Sequence, residues 1–294
     1  MTLRTRLVLV HRRSELTELV ERHGTMGQVE FYLKSRGRGL EEVRFRHDAA
    51  VRAADAILAA APSDWAVAMV ERADLPRFLM QAEDQIVVVG QDGLVANTAK
   101  YLDGQLVIGV DPLRGVNPGT LVRHDPAAAA RLMLAPETAR VAELTMVRAG
   151  FDDGQELTAL NEVYIGDVGH QTARYELTPP GAGREAQASS GVVVGTGTGA
   201  TGWCASLAGD RGGRPLPAPS QRRLAWFVRE AWPSPGTGRR FTDGVLDQGE
   251  QLALTVQSDR LVAFGDGIES DRLTALWGQT ITIGLADRAL RLAL

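Results

Sequence analysis

Four strand-length apolar runs, Arg6–Val10, Ala66–Val70, Ile86–Val89 and Leu106–Val110, set the tightest limit on how this chain can fold. Runs this short and this continuous suit strands buried on both faces. Helix-length segments separate them. Ser14–His23 and Met26–Arg36 read as helices parted near Gly24. Val43–Phe45 reads as a short apolar run, and Asp48 is placed to cap a helix over Ala49–Ala61. Asp125-Pro126 followed by alanines predicts a helix start, a cap and then proline at the first helical position. Strand alternating with helix implies a mostly parallel sheet covered by helices.

Beyond Pro136 the texture changes. Ala139–Gly150, Glu156–Ile165, Thr172–Leu177, Gly191–Thr196, Leu224–Ala231, Gln251–Val256, Leu261–Phe264 and Thr280–Leu285 read as strands. Turn clusters such as Asp152-Asp153-Gly154 and Pro179-Pro180-Gly181 divide them, and Gly209–Ser220 reads as a loop. The expectation is two domains: an α/β domain over residues 1–135 and a β-rich domain over 136–294. At 294 residues there is chain enough for both cores.

The formal charge of −4 argues against a general nucleic-acid binder, which needs a basic footprint. Cys204 stands alone, so neither an intrachain disulfide nor a thiolate zinc site is expected. The apolar run Leu7–Val10 is too short for a signal peptide, and nothing approaches the roughly 20 apolar residues of a membrane span. A cytoplasmic, membrane-free protein is expected.

Three segments carry candidate chemistry. Val87–Val89 runs through Gly90-Gln91-Asp92-Gly93 into a helical pattern, a turn that presents backbone N–H groups to a phosphate. Asp92 at its tip could accept a hydroxyl proton, although Asp-Gly turns are also common as plain connections. Asn161-Glu162 interrupts an apolar strand pattern. Because strands alternate faces, one of the two points inward and needs a partner, unless solvent and a neighbouring loop satisfy both. Gly195–Trp203, rich in Thr and Gly, follows a strand. It spells a dinucleotide fingerprint but lacks the second strand and acidic residue that the fingerprint requires, so a ligand-wrapping loop is favoured over that fold and over a flexible hairpin. A Walker A loop, a zincin helix and a Gly-x-Ser-x-Gly elbow are all missing from the sequence, and the five histidines lack metal-ligand spacing.

In chain order, Gly90–Leu94, Asn161-Glu162 and Gly195–Trp203 resemble the three signatures of the NAD kinase family: a Gly-Gly-Asp-Gly-Thr turn, an Asn-Glu strand and a Thr/Gly loop ending in an aromatic residue. The mitochondrial-type branch is nearest in pattern, through Glu21-Arg22-His23, Val107–Val110, Ala159–Val163, Ser189–Gly191, Thr196–Gly199 and Trp203. The resemblance spans nearly the whole chain. It implies an α/β domain followed by a β-sandwich-like domain with the substrate between them, a homodimer, and a need for ATP with a divalent ion, usually magnesium.

The resemblance also implies roles. Asp92 would be the general base on the ribose 2′-hydroxyl of NAD or NADH, and Gly90, Gln91 and Gly93 would lie along the phosphates. Asn161 and Glu162 would contact the adenosine. Thr196, Gly197, Thr198, Gly199, Thr201 and Trp203 would line the nucleoside site, with Asp266 nearby. Ser190 stands where the wider family often has an aspartate for nicotinamide. Two positions depart from the first signature. Gln91 replaces its second glycine and Leu94 its threonine. They leave open a kinase acting on another hydroxyl, of a nucleoside, sugar or lipid, and a non-catalytic nucleotide sensor. They also leave open polyphosphate as the donor.

Overall fold

The computed structural model describes residues 4–116 and 119–294. It divides into one unit of Met1–Ala142 with Arg291–Leu294 and a second of Glu143–Leu290. The division falls several residues beyond the change of texture at Pro136, and the last four residues return to the first unit.

In the first unit, β1 (Arg6–His11) leads to α1 (Glu15–His23), α2 (Met26–Lys34), α3 (Leu40–Ala60) and β2 (Ala66–Glu71). Then come β3 (Asp84–Val89), α4 (Asp92–Ala99), β4 (Leu106–Val110) and α5 (Pro126–Leu134). The strands pair in parallel in the order β2-β1-β3-β4. Arg291 and Leu292 extend this sheet, pairing in parallel with Leu106 and Val107. Alternate residues Leu7, Leu9, Val87, Val89, Ile108 and Val110 form one core with Ala53, Ala54 and Ile57 of α3 and Ala129 and Met133 of α5.

Local signals explain several boundaries. Ser14 caps α1, its hydroxyl accepting from the Thr17 N–H, and Gly24 closes the helix at φ 82°. Asp125 caps α5 by accepting from the Ala128 N–H, as its place before Pro126 predicts. α3 corrects the sequence reading. It begins at Leu40, so Val43–Phe45 is helical and Asp48 lies inside the helix rather than capping it. Glu41 and Glu42 in the first turn pair with Arg44 and Arg46 one turn on, which supports the earlier start.

The second unit is antiparallel and β-rich. It contains β5 (Val141–Phe151), β6 (Glu156–Ala159), β7 (Glu162–Gly166), β8 (Ala173–Thr178), β9 (Glu185–Ser189) and β10 (Val192–Gly195). After α6 (Trp203–Gly209) follow β11 (Leu224–Val228), β12 (Asp243–Leu246), β13 (Gln251–Val256), β14 (Arg260–Gly265), β15 (Leu273–Leu276) and β16 (Thr280–Ala293); the start of β5, through Ala142, and the end of β16, from Arg291, belong to the first unit. One sheet has the order β12-β11-β10-β7-β14-β15. In the other, β16, β13, β8 and β9 follow one another, and β5 pairs with β16 and β6. Val163, Ile165, Val192, Val194 and Trp226 of the first share a core with Tyr175, Leu177, Leu252, Leu254 and Ile283 of the second. The opposite face of the six-stranded sheet carries a smaller cluster, in which Tyr164, Val193, Ala225 and Phe227 pack under Cys204, Leu207 and Ala208 of α6. Among the described residues, no helix is long and apolar enough to cross a membrane.

The strand expected over Glu156–Ile165 is in fact two. The chain bends at Leu160-Asn161, where the Asp266 carboxylate accepts from both backbone N–H groups, at 3.0 and 2.6 Å.

Candidate functional site

The Gly90–Leu94 turn belongs to the first unit. Gln91 occupies the N-cap of α4 in extended conformation, exposed, and makes no side-chain capping bond. Asp92 opens the helix, where a negative charge meets the positive end of the helix dipole. Its carboxylate is fully engaged. One oxygen accepts from the Thr120 N–H at 2.9 Å and hydroxyl at 2.8 Å. The other accepts from the N–H groups of Leu121 and Val122 at 2.9 and 3.1 Å. Burial pushes this carboxyl upward, but the four hydrogen bonds outweigh it and hold it below the ordinary aspartate range.

The strap 119–122 lies close on β4, which explains the glycine in Val107–Val110. A Cβ on Gly109 would stand 2.2 Å from the Leu121 carbonyl oxygen. Nothing lies within 4 Å of a Cβ built on Gly93, so its backbone faces open space. Leu94 is 5% exposed and packs on Gly90, where an added Cβ would meet its Cδ2 at 3.1 Å. Leu94 therefore fills core space between strand and helix.

The remaining candidates belong to the second unit, and the structure brings most of them together. The Thr196 N–H donates to the Asn161 carbonyl at 2.8 Å, and its hydroxyl donates to that of Leu160. The same hydroxyl accepts from the N–H groups of Thr198 and Gly199. Thr196 thus clamps the Thr/Gly loop to the bend before β7. Asp266, at φ 53°, clamps that bend from the other side, and its own N–H donates to the Glu162 carbonyl at 3.1 Å.

The loop glycines answer first to this packing. A Cβ on Gly197 would lie 2.1 Å from the Ala218 carbonyl, and one on Gly199 would lie 2.5 Å from the Asn161 oxygen. Three polar groups stay unused. Among the described residues nothing hydrogen-bonds to the Asn161 side-chain amide, the Glu162 carboxyl or the buried Thr198 hydroxyl. Thr201 is exposed at the loop tip.

Glu162 and Tyr164 point to the same side of β7, the side covered by α6. Burial, and then the charge of Asp266, pushes the Glu162 carboxyl up to about 7. Burial, and then Glu162, likewise raises the Cys204 thiol to about 12, so this cysteine is a neutral packing residue. Farther along the same face a pocket of about 230 Å³ is lined by Tyr164, Trp203, Phe264, Arg229, Arg272 and Glu269, among others. Trp203 stacks on Tyr164 with ring centroids 5.7 Å apart, and the Arg229 guanidinium lies 5.1 Å from the Trp203 ring centre. The buried Arg229 Nε has no hydrogen-bond partner among the described residues. Ser190 adjoins this wall through its backbone, its carbonyl accepting from the Tyr164 hydroxyl at 2.9 Å.

Tyr164 was within reach of sequence reasoning, two positions beyond Glu162 on a strand. Arg229, Phe264 and the strap at Thr120 had no local signal. Among the described residues, no cluster of three or more His, Cys, Asp or Glu side chains is placed to hold a metal ion. In comparisons with known proteins, neither a family model nor a curated sequence matches this chain.

Proposed function

We propose that this protein is a small-molecule kinase of the NAD kinase type, transferring phosphate from ATP to the adenosine ribose 2′-hydroxyl of NAD or NADH. One observation carries the reading. Asn161-Glu162, the Thr196–Trp203 loop and Asp266, far apart in sequence, converge around unused polar groups on the face that also bears the aromatic and arginine pocket. A nucleoside needs this combination: flat surfaces for its base, convergent polar groups for its ribose, and a cation for its phosphates. Gln91 and Gly93 add an exposed helix start with an open backbone for a phosphate, and the Gln91 amide supplies one further donor. A β-sandwich-like second domain, a homodimer and a cytoplasmic enzyme belong to the same proposal. The divalent ion, magnesium, arrives with the triphosphate as part of the donor, in keeping with a site that acts by positioning and electrostatics.

Two observations favour narrower readings. Leu94 and Gln91 differ from the family turn, which suits a retuned phosphate site or another hydroxyl acceptor. The full engagement of Asp92 suits a sensor that binds nucleotide without turning it over. A coupled assay separates them: ATP, magnesium and NAD, with an NADP-dependent dehydrogenase reporting product. NADP formation supports the proposal. Phosphorylation of a different alcohol with none of NAD or NADH replaces it with the second reading, and nucleotide binding without any phosphorylated product replaces it with the third.

A further inference from the structure

β2 ends the parallel sheet on the side away from β4, and it pairs with β1 alone. The Ala66 N–H donates to the Thr5 carbonyl, which fixes where the later backbone groups point. In an extended strand the N–H and C=O of one residue face the same edge, and successive residues alternate. Ala66, Ala68 and Val70 therefore face β1, while the backbone groups of Val67 and Met69 face outward. The side chains of these two residues share one face of the sheet and are 50% and 53% exposed. Other sheet edges are managed. Arg291, Leu292 and His124 take the edge of β4. The Trp232 and Gly238 N–H groups donate to the Ala188 and Ala186 carbonyls along β9. β6, β12 and β15 are four residues long. β2 runs for six, Ala-Val-Ala-Met-Val-Glu, without the lysine, proline or bulge that keeps an edge from pairing.

We infer that β2 pairs antiparallel with β2 of a second copy of this chain, about a two-fold axis beside Ala68. Antiparallel pairing exchanges N–H···O=C bonds between residues that both face outward. Setting Val67 against Met69 of the second copy supplies that exchange twice, once on each side of the axis. The exposed apolar side chains then cover one another, and Ala68 lies opposite itself. Neighbouring registers fit less well. One centred on Met69 sets Val67 against Glu71, and one centred on Val67 sets Met69 against Trp65, whose N–H already donates to the Pro62 carbonyl. The charges at the two ends also match. Exposed Asp64, before each strand, approaches Arg72, after the other, while Glu71 is already paired with Arg13 at 3.5 Å. An edge that complements itself in this way singles out a second copy as its occupant. Two such short edges bury less than the roughly 1,600 Å² of a standard interface, so the pairing depends on concentration. The inference stands apart from the kinase reading.

Sedimentation of the full chain tests this, and assembly should grow with concentration across the micromolar range. Val67→Lys with Met69→Lys sets like charges opposite each other twice, and should raise the dissociation constant about tenfold or more. Val67→Glu with Met69→Lys changes the same two exposed positions but sets opposite charges across the axis, and should restore association. Circular dichroism should find both double variants folded. Crosslinking reads the register directly. Ala68→Cys should form an intermolecular disulfide in air, since its counterpart stands about 4.5 Å away between Cα atoms. Ala66→Cys, opposite Val70, should not, and buried Cys204 does not compete. Equal assembly in wild type and the lysine pair at every concentration overturns the inference. So do equal effects from the two double variants, or crosslinking of Ala66→Cys as fast as Ala68→Cys. These measurements involve neither ATP nor NAD, so their failure leaves the kinase reading standing.

Discussion

Asp92 and Glu162 differ less as residues than in what surrounds them, and opposite dependences on pH follow. The four donors facing Asp92 hold its carboxyl below the ordinary 3.8, so its contribution to stability is present above that value and is lost as pH falls through it. Asparagine offers those donors one oxygen, and its NH₂ would face N–H groups. Asp92→Asn should therefore cost about 1–3 kcal/mol in urea unfolding near neutrality, enough to loosen the strap. Glu162 runs the other way. Its folded value of about 7 exceeds the ordinary 4.5, so the folded state binds the extra proton between them and stability falls as pH rises through that window. The gap corresponds to ~3 kcal/mol at most. Glu162→Gln should match wild type near pH 4.5 and exceed it in denaturant midpoint above pH 7. Equal midpoints at both pH values would show that Glu162 is solvated like a surface carboxyl.

Among elements, the two glycine-bearing segments should respond to alanine in opposite ways. Gly93→Ala adds a methyl in open space inside a helix, so stability should hold or rise by up to about 1 kcal/mol while the KM for nucleotide increases. Gly199→Ala drives a methyl toward the Asn161 carbonyl, a backbone atom that cannot swing aside, and should cost about 1–3 kcal/mol in thermal or urea unfolding. Equal stability in both variants would mean that the Thr/Gly loop is not packed as described. The elements that were legible in the sequence carry their signals locally. The Asp125-Pro126 cap, the helix stop at Gly24 and the apolar runs of β1, β3, β4 and β10 need only their own neighbours. The break between β6 and β7 was hidden because its cause, Asp266, lies 105 positions from Asn161. The strap on Asp92 was hidden for the same reason, being set by hydrogen bonds 28 to 30 positions away. The start of α3 was misplaced for a different one. Asp48 is a good cap by type, but alanines and paired charges favour helix on both sides of it. Of the site, residue types and order could be read, but which polar groups are spent on the fold and which remain for a ligand could not.

At the scale of the molecule, the parallel sheet of the first unit is finished by residues from the far end of the described chain. Arg291 and Leu292 pair with β4, and the Arg291 side chain donates to the Gly104 carbonyl across 187 positions of sequence. Leu292 and Ala293 are almost wholly buried there. Deleting residues 291–294 should open the β4 edge, and limited proteolysis should then cut the first unit faster than the second. Equal cutting rates would assign these residues no part in holding the sheet. A ribosome emits β1 to β4 long before it makes the strand that completes them. The Leu106–Val107 end of β4 therefore waits for Arg291 and Leu292 during synthesis. Until they emerge, that end of an edge otherwise paired beside Val110 by His124 keeps its amides and carbonyls open to any chain that passes.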